Sequence, residues 1–204
     1  MNGFTEATGF AGLPNVNVTT DPCSPRANSQ NDVPFMFFGV YNTNHAQGGA
    51  DVGIFYDSAV NGWRGFIQRL DGYWDERSYV FKKPKVPYIH VSVPANEYVR
   101  LRLIDTSTWT QVDLIDYYLP GTRINGASQW FNREVSLAQH KRNYSSGAYL
   151  NDAHWHDVWI YSPTGQSLWT PQRTHSSYAQ PANDQHINRQ PISNYYEDKI
   201  SIQY

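Results

Sequence analysis

Asp152, His154 and His156 stand at i, i+2 and i+4, so an extended backbone places all three on one face. Imidazole nitrogen and carboxylate oxygen are donors that a transition metal accepts, and His175 or His186 could supply a third side chain. Two histidines on a water-facing strand need no ion, however, and the pattern is read as a solvated face with no metal assigned. A pH-sensitive contact stays open, because histidine titrates near neutrality. Carboxylates offer other chemistry. Hydrolysis of a glycosidic bond needs two of them, about 5–10 Å apart. Asp75 and Glu76 are neighbours in YWDER, so a strand sends them to opposite faces and they cannot serve together. Glu76 could meet Glu134 or Asp51 only through the fold. YWDER reads as a solvated strand with a local Asp–Arg contact, and no catalytic residue is assigned.

The aromatic residues form a second constellation. The chain has 7 Trp, 15 Tyr and 9 Phe, which is 15% of its length, against 17% charged residues. Flat rings stack on the C–H faces of sugars while polar neighbours bind hydroxyls. Trp63, Tyr73, Trp74, Trp109, Trp130 and Trp169 all lie in or beside expected turns. Arg64, Arg69, Asp71, Asp75 and Asn132 are close in sequence and could supply hydrogen bonds. Trp63, Arg64, Tyr73, Trp74, Trp109, Trp130 and Trp169 are therefore the candidate ligand-binding residues. The competing reading buries most of these rings as core or rim.

Several classes are disfavoured. A net charge of −2 supplies no basic field for a phosphate backbone, so no nucleic-acid partner is expected. No apolar run approaches the roughly 18 residues of a membrane span. There is no G-x-S-x-G elbow, phosphate loop, dinucleotide fingerprint or zinc ribbon, and no cofactor is expected. The E-x-D-x-E spacing of sandwich glucanases is also missing. Cys23, the single cysteine, lies in DPCSPR and reads as an incidental thiol, with an intermolecular disulfide as the alternative. Asn17 and Asn143 head N-x-S/T triplets, relevant only on a eukaryotic secretory route. The first residues lack a signal-peptide pattern, and the polar, ring-rich composition favours a mature exported chain over an intracellular one.

The elements that must carry these residues are strands. Residues 1–32 read as an irregular arm with one short strand near 15–19, and 33–204 as a single β-sandwich domain. VPFMFFGVYN (33–42) has the length of a buried strand. Residues 51–57 and 63–70 flank the turn pair Asn61–Gly62 and form a hairpin. Trp63 and Ile67 share one face of the second strand, with Arg64, Phe66 and Gln68 on the other. Further strands are expected at 73–81, 86–93, 98–105 and 108–119, with Val112, Leu114 and Ile115 as core candidates of the last. Others follow at 128–141, 147–162, 167–170 and 199–204. A helical turn is open at 137–141. Residues 171–194 read as a long surface loop. Short strands separated by turns imply an all-β, two-sheet antiparallel sandwich or jelly roll.

Two stretches, GGADVGIFYDSAVNGWRGFIQ (48–68) and REVSLAQHKRNYSSGAYLNDAHWHDVWIY (133–161), resemble the YrpD-like family of secreted bacterial proteins. That resemblance implies a concanavalin-like sandwich, exported and associated with sugars, and transfers no active-site residue. The leading functional expectation is a non-catalytic, lectin-like sandwich that binds carbohydrate or cell-surface polymer through exposed rings. One alternative is a self-assembling extracellular protein joined through its arm or edge strands. The other is a jelly-roll enzyme acting on polysaccharides through Glu76 or Glu134.

Overall fold

Alternation of apolar and polar residues dictates most of the architecture, because a strand with one buried face must pack that face against another sheet. The structure is a computed structural model, which describes residues 3–19, 32–42, 48–126, 129–138, 146–170, 185–193 and 197–204. The strands of the described residues run β1 (Glu6–Gly12), β2 (Asn15–Asn17), β3 (Val33–Asn42), β4 (Gly49–Asp57), β5 (Gly62–Arg69), β6 (Trp74–Phe81), β7 (Pro87–Ser92), β8 (Tyr98–Asp105), β9 (Thr110–Tyr118), β10 (Gln129–Ala138), β11 (Tyr149–Ser162), β12 (Gly165–Leu168), β13 (Ile187–Ser193) and β14 (Glu197–Gln203). They form two antiparallel sheets, a sandwich as expected, with no helix among the described residues. The five-stranded sheet has the order β10-β3-β4-β5-β6. The nine-stranded sheet has the order β13-β14-β11-β1-β7-β8-β9, with β2 and β12 also paired to β11.

The core lies between the sheets. Met36, Phe38 and Val40 of β3 and Val52 and Ile54 of β4 face Ile89, Val91, Leu101, Leu103 and Trp155 of the other sheet, all fully buried. Phe38 and Trp155 meet with ring centroids 5.0 Å apart. Arg133 of β10 also points inward and lies over the Trp155 ring. Its guanidinium donates twice to Asp198 of β14, at 2.8 and 2.8 Å, and Arg189 adds a third bond at 2.9 Å. This ion cluster ties β10, which among the described residues pairs only with β3, to the opposite sheet.

Three expectations are corrected. Residues 6–12 are no arm: β1 sits in the middle of the larger sheet, between β7 and β11. The close packing favours a glycine there, because a Cβ at Gly9 would press on Trp155 and Val158 at 3.1 Å. The last part of the expected 171–194 loop is strand β13, whose register on β14 begins at Ile187 opposite Ile202. Leu114 is not core: it faces water on the edge strand β9 at 48% exposure. Cys23, Asn143, His175 and the expected helical turn beyond Ala138 lie outside the described residues.

Candidate active site

The period of two that buries Phe38 and Val40 sends Phe37, Gly39 and Tyr41 to the outer face of the five-stranded sheet. Register then decides their neighbours. Gly39 is opposite Asn132 of β10 on one side and Asp51 of β4 on the other. Asp51 is in turn opposite Gln68 of β5, and Gln68 opposite Trp74 of β6. The next row is Glu134, Phe37, Gly53, Phe66 and Glu76. Of the carboxylates on this face, Asp51 and Glu134 stand on the two strands that flank β3.

Gly39 makes this cluster possible. A Cβ there would run into the Asn132 Oδ1 and the Tyr41 ring, so both side chains occupy the space above the glycine. The Tyr41 ring also overlies Gly49, where a Cβ would meet Cδ1. From this seat the Tyr41 hydroxyl donates a short hydrogen bond to Asp51 Oδ1. Burial, with the Asp51 charge added, pushes the Tyr41 pKa far above its ordinary value, so the phenol keeps its proton.

Both carboxyls are perturbed. Glu134 meets water, yet the protein around it still removes part of its solvation. That loss, followed by the negative charge of Asp51, raises its pKa from 4.5 to about 7. Burial also raises the Asp51 pKa, and the bond from Tyr41 opposes the rise. A carboxylic acid that keeps its proton near neutrality beside a hydrogen-bonded carboxylate is a pairing suited to general acid–base chemistry.

Beside the carboxyls the face turns aromatic. Phe37, Phe55 and Phe66 form a small buried cluster with Phe35 packed on it. Trp74 stacks on Phe66, with ring centroids 5.0 Å apart, and stays 38% exposed. Arg64 crosses the same face and pairs with Glu76 at 2.8 Å and Asp57 at 3.0 Å.

The candidate ligand-binding rings do not form one platform. Trp63 and Trp169 are core residues, 3% and 5% exposed, because Trp63 shares the inner face with Ile67 and Trp169 packs near Phe38. Trp130 is half-buried at the end of β10 opposite Tyr41. Trp109 is 68% exposed but sits by the β8–β9 turn of the other sheet, against Phe10. Trp130, Trp74 and Arg64 share the face that carries the carboxyls, and Arg64 is committed to ion pairs, while Tyr73 lies at the β5–β6 turn under Arg69. Glu76 is engaged by Arg64, while Asp75 faces the other way and accepts from Tyr117 at 2.8 Å.

The histidine pattern is altered by two bulges. Asp152 and Asp157 adopt positive φ, and the register of β11 on β14 shifts between Leu150 and Ala153. His154 and His156 remain side by side, ring centroids 5.1 Å apart, with His156 stacked on Phe10 and His154 bonded to Glu197 at 3.2 Å. No group of three metal-binding side chains converges among the described residues.

Tyr41 and Asn132 were not assigned together from sequence. The signal available was a glycine between two rings on one face of a strand, and an Asn-x-Glu pair facing outward from another.

No family model and no curated protein matches the sequence. Solved structures do match the shape. A scytalido-glutamic peptidase with a transition-state analog inhibitor superposes with a TM-score of 0.69 at 8% identity, covering 98% of this chain and 93% of that one. A second structure of scytalido-glutamic peptidase, with a peptide-based transition-state analog, gives 0.67 at 7% identity over 100% and 94%. SCP-B, a member of the Eqolisin family of peptidases in complex with the tripeptide Ala-Ile-His, gives 0.65 at 7% identity over 98% and 93%. These three neighbours, which share the fold over nearly its whole length, are peptidases, and they stand against the expectation of a non-catalytic saccharide binder and the leaning against an enzyme.

Proposed function

We propose that this protein is a peptidase whose reaction is run by the Asp51–Glu134 pair. The observation that carries the reading is Glu134, an acid whose pKa stands at about 7 beside an Asp51 held by Tyr41. Peptide hydrolysis needs two proton movements at once. One carboxylate takes a proton from water as its oxygen adds to the carbonyl carbon. The other carboxyl gives a proton to the carbonyl oxygen, which receives the π-electron pair. The product is a neutral gem-diol. On collapse the C–N bond breaks with its pair on nitrogen. Nitrogen takes the proton first removed from water, and the gem-diol returns one to the second carboxyl. The pair ends as it began, with one proton between two groups. The fold neighbours support this reading, because their structures hold transition-state analogs or a tripeptide. The aromatic half of the face, from Phe37 to Trp74, suits an apolar side chain of a bound peptide.

The test is digestion of an unfolded protein between pH 3 and 8, followed by mass spectrometry. Wild type is expected to give defined fragments at and below pH 7, with rates about 10²–10⁴-fold lower in Glu134→Gln and Asp51→Asn. A wild-type digest identical to the blank at every pH overturns the proposal, as does undiminished cleavage by Glu134→Gln.

A further inference from the structure

Resting on the peptidase reading, we infer that Tyr41 is the positioning residue that divides the labour of the pair: it keeps Asp51 as the proton acceptor and leaves Glu134 as the proton donor. The argument is one of unequal partners. The Tyr41 phenol donates to Asp51 Oδ1, and its ring shares the space above Gly39 with the Asn132 side chain. A donor aimed at a carboxyl favours its ionised form. Among the described residues nothing hydrogen-bonds the Glu134 carboxyl, so nothing comparable stabilises its anion. Oδ1 of Asp51 is occupied by Tyr41, which leaves Oδ2 for the proton of the attacking water.

The seat of Tyr41 is built into the backbone. The ring lies over Gly39 and Gly49, and a methyl group at either would displace it. The alternation of β3 places the phenol on the outer face, one row along the strand from Asp51, so it reaches Oδ1 without entering the rows of Glu134 and Phe37. Among the described residues the ionisable groups at the site are Tyr41 from β3, Asp51 from β4 and Glu134 from β10. Gln68, the β5 neighbour of Asp51, carries no charge, and Glu76 of β6 is paired with Arg64. Among the described residues Tyr41 is the group that donates to one carboxyl of the pair and not to the other.

In the reaction this fixes the order of events. Asp51 removes the proton from water, and the Glu134 hydroxyl protonates the carbonyl oxygen. On collapse Asp51 returns its proton to the leaving nitrogen, while the gem-diol reprotonates Glu134. Tyr41 keeps its own proton throughout.

Tyr41→Phe tests the inference, because it keeps the ring over both glycines and removes only the donor. Carboxyl resonances of wild type and variant are titrated by NMR, with Asp51→Asn and Glu134→Gln to assign them. Asp51 is expected to ionise first in wild type and to move up by about one pH unit in Tyr41→Phe, as expected for losing one bond to a charged group. The acidic limb of kcat/KM should rise by the same amount while KM changes less than twofold. The inference fails if Glu134 ionises first in wild type, or if the Asp51 titration is the same in both proteins. An absence of peptidase activity would instead defeat the reading it rests on, and the NMR titration would still decide the role of Tyr41.

Discussion

Asp198→Asn removes the anion at the centre of the buried ion cluster and preserves its shape. The Asp198 side chain is 0% exposed and that of Arg133 only 9%, and the two make a bidentate contact. Arg189, at 31%, retains solvent and contributes less. Removing one member of a buried pair costs about 3–5 kcal/mol, because the survivor is left with an uncompensated charge. Near 200 residues each kcal/mol moves the melting temperature by about 2–4 °C, so a fall on the order of 10 °C is expected. Arg100→Ala breaks an exposed pair of similar length with Asp116 and should cost under about 1 kcal/mol. Urea titration and calorimetry on both variants measure the contrast. Adding Arg133→Met to Asp198→Asn should restore much of the loss, since it removes the stranded cation. The reasoning is refuted if Asp198→Asn costs no more than Arg100→Ala.

Three further outcomes follow from the carboxyl face. Gly39→Ala should cost about 1–3 kcal/mol by urea titration, because the methyl group meets Tyr41 and Asn132, and should abolish cleavage. Trp74→Ala should lower kcat/KM about tenfold for peptides with an aromatic residue at the scissile bond, and far less for alanine peptides. For pH, the raised Glu134 pKa means that the folded state holds this proton more tightly than the unfolded chain does. Its contribution is complete below about pH 4.5 and lost as pH rises through about 7. Across that window the melting temperature of wild type should fall relative to that of Glu134→Gln. Parallel curves in scanning fluorimetry would show that Glu134 titrates normally.

Much of the sandwich is legible in the sequence because half-buried strands announce themselves by alternation. VPFMFFGVYN and YVRLRLID are strands over the full expected ranges, and Arg100 and Arg102 face outward. β1 escapes because EATGFAG offers no β-branched run. Its small residues answer to Trp155, a neighbour almost 150 positions away. The site escapes for a related reason. Asp51 and Glu134 are separated by more than 80 residues and meet only because β3 lies between their strands. The aromatic platform fails by parity. Trp63 is beside a turn, but its face is that of Ile67, which the alternation already assigns to the interior.

Initial rates of wild type, Asp51→Asn and Glu134→Gln on one quenched fluorescent peptide, from pH 3 to 8, test the catalytic pair most directly. The account predicts that wild-type turnover declines as pH passes about 7, where Glu134 loses its proton, and that both variants lose at least a hundredfold in kcat with folds intact by circular dichroism. Turnover by either variant within a few-fold of wild type would contradict it.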